Sequence, residues 1–405
     1  MNNMIKSIII RDFFSFKGET TVELNPGINI LLGINGSGKT SFINALRLLF
    51  EGISGSGVAS LLQEKWGGFD QIVNFNGERK APYAQVTYVF DHNYLNKINP
   101  AAGFKSDVYY RITINRSGNS YLLSEKVYAE NINEKKDFIY LDFTNGQGKL
   151  SSRTSKGKIE FLDYGGEDFS GQELVLRQIN DPFHYLPTHT LRKAIETIAV
   201  YNGFNTSEAG NIRTPGDYYN DVRLRSSGIN LTQMLTLLKL NQQYDFERLE
   251  KRFKEVNPNY KSIDISNVYG QSVLSLVEKN MSRAIQPAHI SDGTLRFLLI
   301  ECIFCNSMRG DLVAIDEPER GLHPDMISSV AEMMKQAAKE TQIIVATHSP
   351  HLLNQFEIED ILVFEKNEEN ATEIHRYSED DFEDLECEIL PGQLWLLGQI
   401  GGKRW

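Results

Sequence analysis

Three cysteines in 405 residues, Cys302, Cys305 and Cys387, are too few and too irregularly spaced for a disulfide framework, which predicts a reducing cytoplasm. Long apolar runs are missing as well. No stretch reaches the roughly 18 to 20 apolar residues of a membrane span, and the start, Met1-Asn2-Asn3-Met4-Ile5-Lys6, has neither an apolar core nor a small-residue cleavage site. The expectation is therefore a protein that is neither inserted in a membrane nor secreted. A basic surplus is also lacking. With a net charge of -11 the chain gains little from general attraction to phosphate backbones, so any nucleic-acid contact must come from a local patch. What remains is ordinary for a folded protein: 41% hydrophobic, 10% aromatic, 23% charged, with 12 prolines and 31 glycines. The length suggests two or three domains and is ample for a large core.

The pattern along the chain is α/β with a β-rich start. Short strands are expected at Ser7 to Ile10, Thr21 to Leu24 and Ile28 to Leu32, with turn chemistry at Phe16-Lys17-Gly18 and Asn25-Pro26-Gly27. Further strands are predicted at Tyr83 to Phe90, Val108 to Ile114, Tyr121 to Tyr128 and Phe138 to Phe143. Gly146 to Lys158, small, polar and basic through Lys149, Arg153, Lys156 and Lys158, reads as an exposed loop. Helical spacing at Leu231 to Leu240, Phe246 to Val256 and Val273 to Met281 predicts a helical insertion. The α/β pattern then returns: a helix from Thr294 to about Met308, a strand Leu312 to Ile315, a helix Asp325 to Lys339, and strands at Ile343 to Ala346, Ile361 to Phe364 and Glu373 to Tyr377. This divides the chain into an N-terminal lobe over 1–180, an insertion over 181–285 and a C-terminal lobe over 286–405.

Four motifs carry chemistry. Gly33-Ile34-Asn35-Gly36-Ser37-Gly38-Lys39-Thr40 matches G-x-x-x-x-G-K-[ST] between an apolar strand and a helix. In such a loop, backbone N–H groups at Gly33, Asn35, Gly36, Ser37 and Gly38 point at phosphates, Lys39 neutralises their oxygens and Thr40 ligates Mg2+. Leu312 to Glu317 is an apolar strand ending in two acids; Asp316 would hold the metal and Glu317 would polarise the attacking water. Thr347-His348-Ser349-Pro350 places His348 just past another strand, where it could report the γ-phosphate of ATP. Ile290-Ser291-Asp292-Gly293-Thr294 opens a helix, giving Ser291 and Gly293 as a second phosphate-binding feature or, more plainly, an N-cap. Cys302-Ile303-Phe304-Cys305 and His348-x-x-His351 lack companions for a metal site.

That order of motifs resembles the ABC-type ATPases of the SMC, RecF and OLD-like branch, in particular stand-alone ATPases without a Toprim nuclease domain. The resemblance rests on Ile8 to Phe13, Gly27 to Thr40, Ser291 to Arg296, Asp316 to Pro324 and a Gly- and Trp-bearing terminal segment, Gly392 to Trp405. It implies a P-loop NTPase head with a β-rich N-terminal lobe and a helical insertion, binding ATP and Mg2+ and hydrolysing the nucleotide through Glu317, His348 and Lys39. It further implies that Ser291 and Gly293 act in trans, so that ATP joins a homodimer, with Glu319 to Pro324 coupling the two sites. Asp292, where the commonest signature has glycine, and Thr294, in place of glutamine, are departures. The metal-sensing glutamine is Gln71 or Gln85, and an adenine-stacking ring is sought among Phe13, Phe14 and Phe16.

The densest acids near the end, Glu379, Asp380, Asp381, Glu383, Asp384, Glu386 and Glu388, form one compact run rather than a spaced metal site. The resemblance then implies an ATPase whose effector, a toxin or nuclease, is a separate protein, as in bacterial antiviral defence. Two alternatives stay open. One is a RecF-like DNA clamp using Lys149 to Lys158 or Lys251 to Lys261 with Arg252 and Lys254; the other is an ATP-gated scaffold with negligible turnover.

Overall fold

The computed structural model describes residues 3–76, 79–130, 137–154, 159–207, 210–215, 221–268, 270–382 and 389–401. Two compact units emerge: residues 1–198 with 362–376, and residues 199–361 with 377–402. No described helix is long and apolar enough to cross a membrane.

The first unit is built on an eight-stranded antiparallel sheet. Its order from one edge is Ile159–Tyr164, Gln147–Arg153, Phe138–Thr144, Ser120–Ala129, Val108–Ser117, Tyr83–Phe90, Ile5–Arg11 and Glu19–Glu23. Val108–Ser117 alternates buried and half-buried positions, the period-2 pattern of a sheet with one covered face. The helix Lys39–Ile53 covers that sheet, and the fully buried Tyr88 hydroxyl donates to the Ala45 carbonyl at 2.6 Å. In the same unit, the wholly buried strand Ile28–Leu32 lies beside Ile361–Lys366, which pairs antiparallel with Thr372–Arg376.

Two expectations are corrected here. Gln147–Arg153 is a strand, not a loop, paired on both sides. Its only large apolar residue is Leu150, so its own pattern is silent, but Asn145 and Gly146, at φ 56° and 80°, form the turn that folds it onto Phe138–Thr144. Lys156 and Lys158 lie outside the described residues. In the second unit, Val273 to Met281 is not helical: Gln271–Glu278 pairs with Tyr260–Val268 as a hairpin. Val273, Leu274, Leu276 and Val277 fit both periods; Gly270 at φ 83°, its N–H bonded to Asn267 Oδ1, decides for the hairpin. The helices Leu231–Asn241 and Gln243–Val256 stand as expected.

The rest of the second unit is α/β. Leu312–Asp316 and Gln342–Thr347 run parallel in register Asp316 to Ala346, joined through the helix Pro324–Ala337. The helix Asp292–Phe304 is largely apolar and buries Cys302, while Cys305 caps its end; burial pushes the Cys305 thiol up to about 12. The cysteine pair is core.

One buried acid generates a test. Glu125 in the first unit accepts from the Tyr110 hydroxyl and the amides of Val175 and Leu176, yet burial raises its pKa from the ordinary 4.5 to about 7. Between about pH 4.5 and 7 the folded chain therefore holds a proton that the unfolded chain has released, so stability falls as pH rises through that window. Urea denaturation of Glu125→Gln is expected to show a flatter dependence across it than the parent; parallel slopes would refute this.

Candidate functional site

The phosphate loop follows from its sequence. A fully buried five-residue strand ends at Leu32, and Gly36 and Gly38 take φ 81° and 117°, values that disfavour side chains. A Cβ on Gly38 would stand 2.2 Å from Thr372 Oγ1 and 2.9 Å from Ser15 Oγ, and one on Gly33 would stand 2.4 Å from Ser37 Oγ. Asn35 and Gly36 are exposed at the tip, while Ser37 and Lys39 are buried. Lys39 Nζ donates to the carbonyls of Gly33 at 2.5 Å and Ile34 at 3.0 Å, holding its charge over the loop. The buried Ser37 hydroxyl has no partner among the described residues. A bare cradle with an orphaned hydroxyl and an ammonium bonded to loop carbonyls fits a phosphate chain. Thr40, exposed in the first turn of the helix Lys39–Ile53, and Asp316 in the second unit are oxygen donors of the kind Mg2+ takes.

Two residues without any motif brace this loop. Thr372 Oγ1 donates to the Ser37 carbonyl at 2.9 Å and accepts from Ser15 Oγ at 2.8 Å, and Ser15 Oγ in turn accepts from Ser41 Oγ. Alongside is an open cavity of about 560 Å3 lined by Phe14, Ser15, Ser41, Gln71, Asn74, Phe75, Lys366, Glu369 and Asn370. Of the three phenylalanines, Phe13 and Phe16 are fully buried and Phe14 alone lines this space, at φ 49°. Of the two glutamines, Gln71 lines it too, whereas Gln85 lies in the sheet and donates to Thr113 Oγ1.

In the second unit, the parallel strands bring Glu317 and His348 together. The Glu317 amide donates to the Ala346 carbonyl at 2.8 Å, and its backbone adopts φ 46°, a left-handed conformation that costs a non-glycine residue roughly 1 to 2 kcal/mol. His348 Nδ1 is 2.9 Å from Glu317 Oε1, and Arg320 Nη1 is 3.8 Å from Oε2. Behind them, Thr347 Oγ1 donates to the buried Glu319 Oε1 at 2.5 Å, while Glu319 Oε2 has no partner among the described residues and burial pushes the carboxyl's pKa up. Gly392 packs against the short helix after His348: its N–H bonds Asn354 Oδ1, and a Cβ would meet the Pro350 carbonyl at 2.2 Å. Nearby Trp395 is buried, whereas Trp405 lies outside the described residues.

Ser291 caps the helix Asp292–Phe304: its Oγ accepts from the Thr294 amide and donates to Thr294 Oγ1, which also receives the Tyr260 hydroxyl. Thr294 thus completes the cap. Ser291 and Asp292 are exposed, and Gly293 lies so close to the Gly321 carbonyl that a Cβ would stand 2.9 Å from it.

The basic stretches are largely neutralised. Lys251 pairs with Glu255, Lys254 with Glu250, Arg252 with Glu332, and Lys149 with Asp163. Among the described residues no metal-type cluster includes His348, His351 or the cysteines; the one such group, Asp91, His92 and Asp107, already holds the Lys6 ammonium 2.8 Å from Asp107. Glu379 to Asp381 form a 3-10 turn; Glu383, Asp384, Glu386, Cys387 and Glu388 lie outside the described residues.

Comparison with known proteins gives two family matches: "AAA domain, putative AbiEii toxin, Type IV TA system" over residues 150–354, and "AAA ATPase domain" over residues 4–164. Curated relatives include the chromosome partition protein Smc of Methanococcus voltae, 27% identical over 159 residues, 39% of this chain and 12% of that protein. Structural maintenance of chromosomes protein 2 of Homo sapiens is 30% identical over 126 residues, 30% of this chain and 10% of that protein. The chain thus spans about a tenth of the length of these relatives. Among solved structures, an SMC head bound to the C-winged helix domain of ScpA superposes with a TM-score of 0.59 at 12% identity, covering 94% of this chain and 99% of the other. A Pyrococcus furiosus SMC head with an extended coiled coil, bound to the C-terminal domain of ScpA, gives 0.56 at 11% identity, covering 94% and 97%. These likenesses give the fold.

The hydroxyl brace generates a test. Thr372→Val removes one donated and one accepted bond at constant shape, so binding of a fluorescent ATP analogue is expected to weaken by roughly 5- to 100-fold, while Thr372→Ser stays close to the parent. Equal affinities for parent and Thr372→Val would refute the brace.

Proposed function

The chain belongs to the AAA domain family matched over residues 150–354, as an ABC-type ATPase of the SMC, RecF and OLD-like branch, and from that premise we propose that it hydrolyses ATP as an ATP-joined homodimer. We further propose that this cycle restrains and releases a separate effector in bacterial antiviral defence. The observation that carries the catalytic reading is the Glu317 and His348 pair, held at adjacent strand ends by a strained backbone.

The residues take the following roles. Lys39 and the amides of Gly33, Asn35, Gly36, Ser37 and Gly38 bind and orient the β- and γ-phosphates. Thr40 and Asp316 are the oxygen donors that would hold Mg2+, which would neutralise charge on the transferred phosphoryl group. Glu317 orients and deprotonates the attacking water. His348 keeps that carboxylate in place through Nδ1, which leaves Nε2 for the γ-phosphate. Phe14 offers a ring face to the adenine, and Gln71 is the glutamine suited to sensing the metal. Exposed Ser291 and half-buried Gly293 meet the γ-phosphate of a second copy.

An effector role is supported by the family description, which names a toxin and a type IV toxin-antitoxin system, and by solved SMC heads that carry a bound protein partner. Paired basic residues favour this reading over the DNA clamp. Cytoplasmic residence is part of the same reading.

The trans arrangement has a direct test. Lys39→Ala and Ser291→Arg chains are each expected to be inactive, but mixing them should recover a fraction of the parent turnover, because a hybrid dimer holds one intact composite site. Absence of recovery at any mixing ratio would sink the trans reading. Glu317→Gln is expected to bind ATP normally and lower single-turnover hydrolysis by about 100-fold or more. Unchanged hydrolysis would remove Glu317 from the chemistry.

A further inference from the structure

Arg213 is a cation in an unusual place. Its side chain is 6% exposed, and it spends its donors almost wholly on backbone carbonyls. Nη1 reaches the carbonyls of Pro287 at 2.5 Å and Ile290 at 2.7 Å, immediately before the Ser291 cap. Nη2 bonds Asp292 Oδ1 at 2.5 Å and the Thr206 carbonyl at 2.8 Å, and Nε bonds the carbonyls of Thr206 and Ser207. One planar guanidinium therefore fastens two segments at once: the turn Pro287 to Asp292 and the loop Thr206 to Ser207.

A second arginine repeats the connection from the other side. Arg296, one turn into the helix Asp292–Phe304, donates to the Phe204 carbonyl at 3.2 Å. Phe204 and Ile212 are buried, and a Cβ on Gly228 would meet both of them and Leu299. The loop is thus anchored in the core by two apolar residues and clamped to the helix start by two arginines. This also accounts for Asp292. A glycine at that position could not hold Arg213, whereas an aspartate offers a charged acceptor from the first helical residue, where the helix dipole also favours it.

Building on the proposed ATP-joined dimer, we infer that Arg213 is a positioning residue that fixes the exposed Ser291 to Gly293 turn. The loop Phe204 to Ser207 thereby sets how strongly one ATP-bound subunit grips another. A ligand or protein that displaces this loop would weaken the grip without touching the phosphate loop. The coupling runs through four named bonds: Arg296 to Phe204, Arg213 to Thr206, Arg213 to Ile290 and Arg213 to Asp292.

The test uses the full chain carrying Glu317→Gln, so that ATP persists, with Arg213→Lys, Asp292→Asn or Asp292→Gly added. Asp292 has a 64% exposed side chain, so its variants keep the test open if Arg213→Lys does not fold. Sedimentation with ATP and Mg2+ gives the concentration of half-dimerisation, and a fluorescent ATP analogue at low protein concentration gives affinity for the single subunit. Each variant is expected to raise the half-dimerisation concentration by about tenfold, equivalent to ~1.4 kcal/mol, with single-subunit affinity unchanged and with no added effect in the Arg213→Lys/Asp292→Asn double variant. If the parent dimerises and the Asp292 variants dimerise equally well, the inference alone falls. If ATP affinity of the single subunit drops in step with dimerisation, Arg213 is merely structural and the inference also falls. If the parent itself forms no dimer with ATP, the dimer reading falls and takes the inference with it.

Discussion

The chemistry proposed for the second unit depends on a single backbone hydrogen bond, from the Glu317 amide to the Ala346 carbonyl, which closes the last pair of the parallel ladder. It fixes the chain's exit from the ladder just after Asp316, and Glu317 turns the chain there at φ 46°. The carboxylate then faces His348, the first residue beyond the neighbouring strand. Two parallel strands of five and six residues thus deliver an acid and a base to the same end of a sheet, the end where α/β folds place their sites. Glu319 and Thr347 lock the same two chain exits from behind, so the functional pair sits in front of a buried pair of matching connectivity.

The phosphate loop solves a different problem by the same means. Consecutive N–H groups can converge only if the chain passes through left-handed conformations, and such a chain is not self-supporting. Here the support is a relay of hydroxyls from Thr372, Ser15 and Ser41, with Thr372 more than 330 positions from the other two in sequence. In the first unit the phosphate-facing groups come from the motif and the stiffness comes from elsewhere.

That division explains what could be read from the sequence. Strands such as Ile28–Leu32 and Tyr83–Phe90 were predicted to the residue because burial of one or both faces dictates their pattern. Gln147–Arg153 escaped because its neighbours on both sides supply the apolar face and it contributes Leu150 alone. Val273 to Val277 escaped because four apolar residues at offsets 0, 1, 3 and 4 satisfy both periods, and only the glycine turn before them breaks the tie. Lys39, Glu317, His348 and Ser291 stood out because their chemistry demands those residue types at those spacings. Thr372, Ser15 and Arg213 did not, since a hydroxyl or a guanidinium that bonds a carbonyl can be placed anywhere the fold passes close by. Gln71 and Phe14 could be singled out only by the cavity they share.

The left-handed backbone at Glu317 has a consequence for how this sequence would drift under artificial selection. A residue there with no Cβ, or with a short side chain that tolerates that region, would relieve the strain and leave the fold more resistant to heat. Pressure for thermal endurance without demand for turnover should therefore drive position 317 toward glycine or asparagine before it touches the apolar strand beneath. On the role proposed for it, the acid stands there for its chemistry, against the preference of its own main chain.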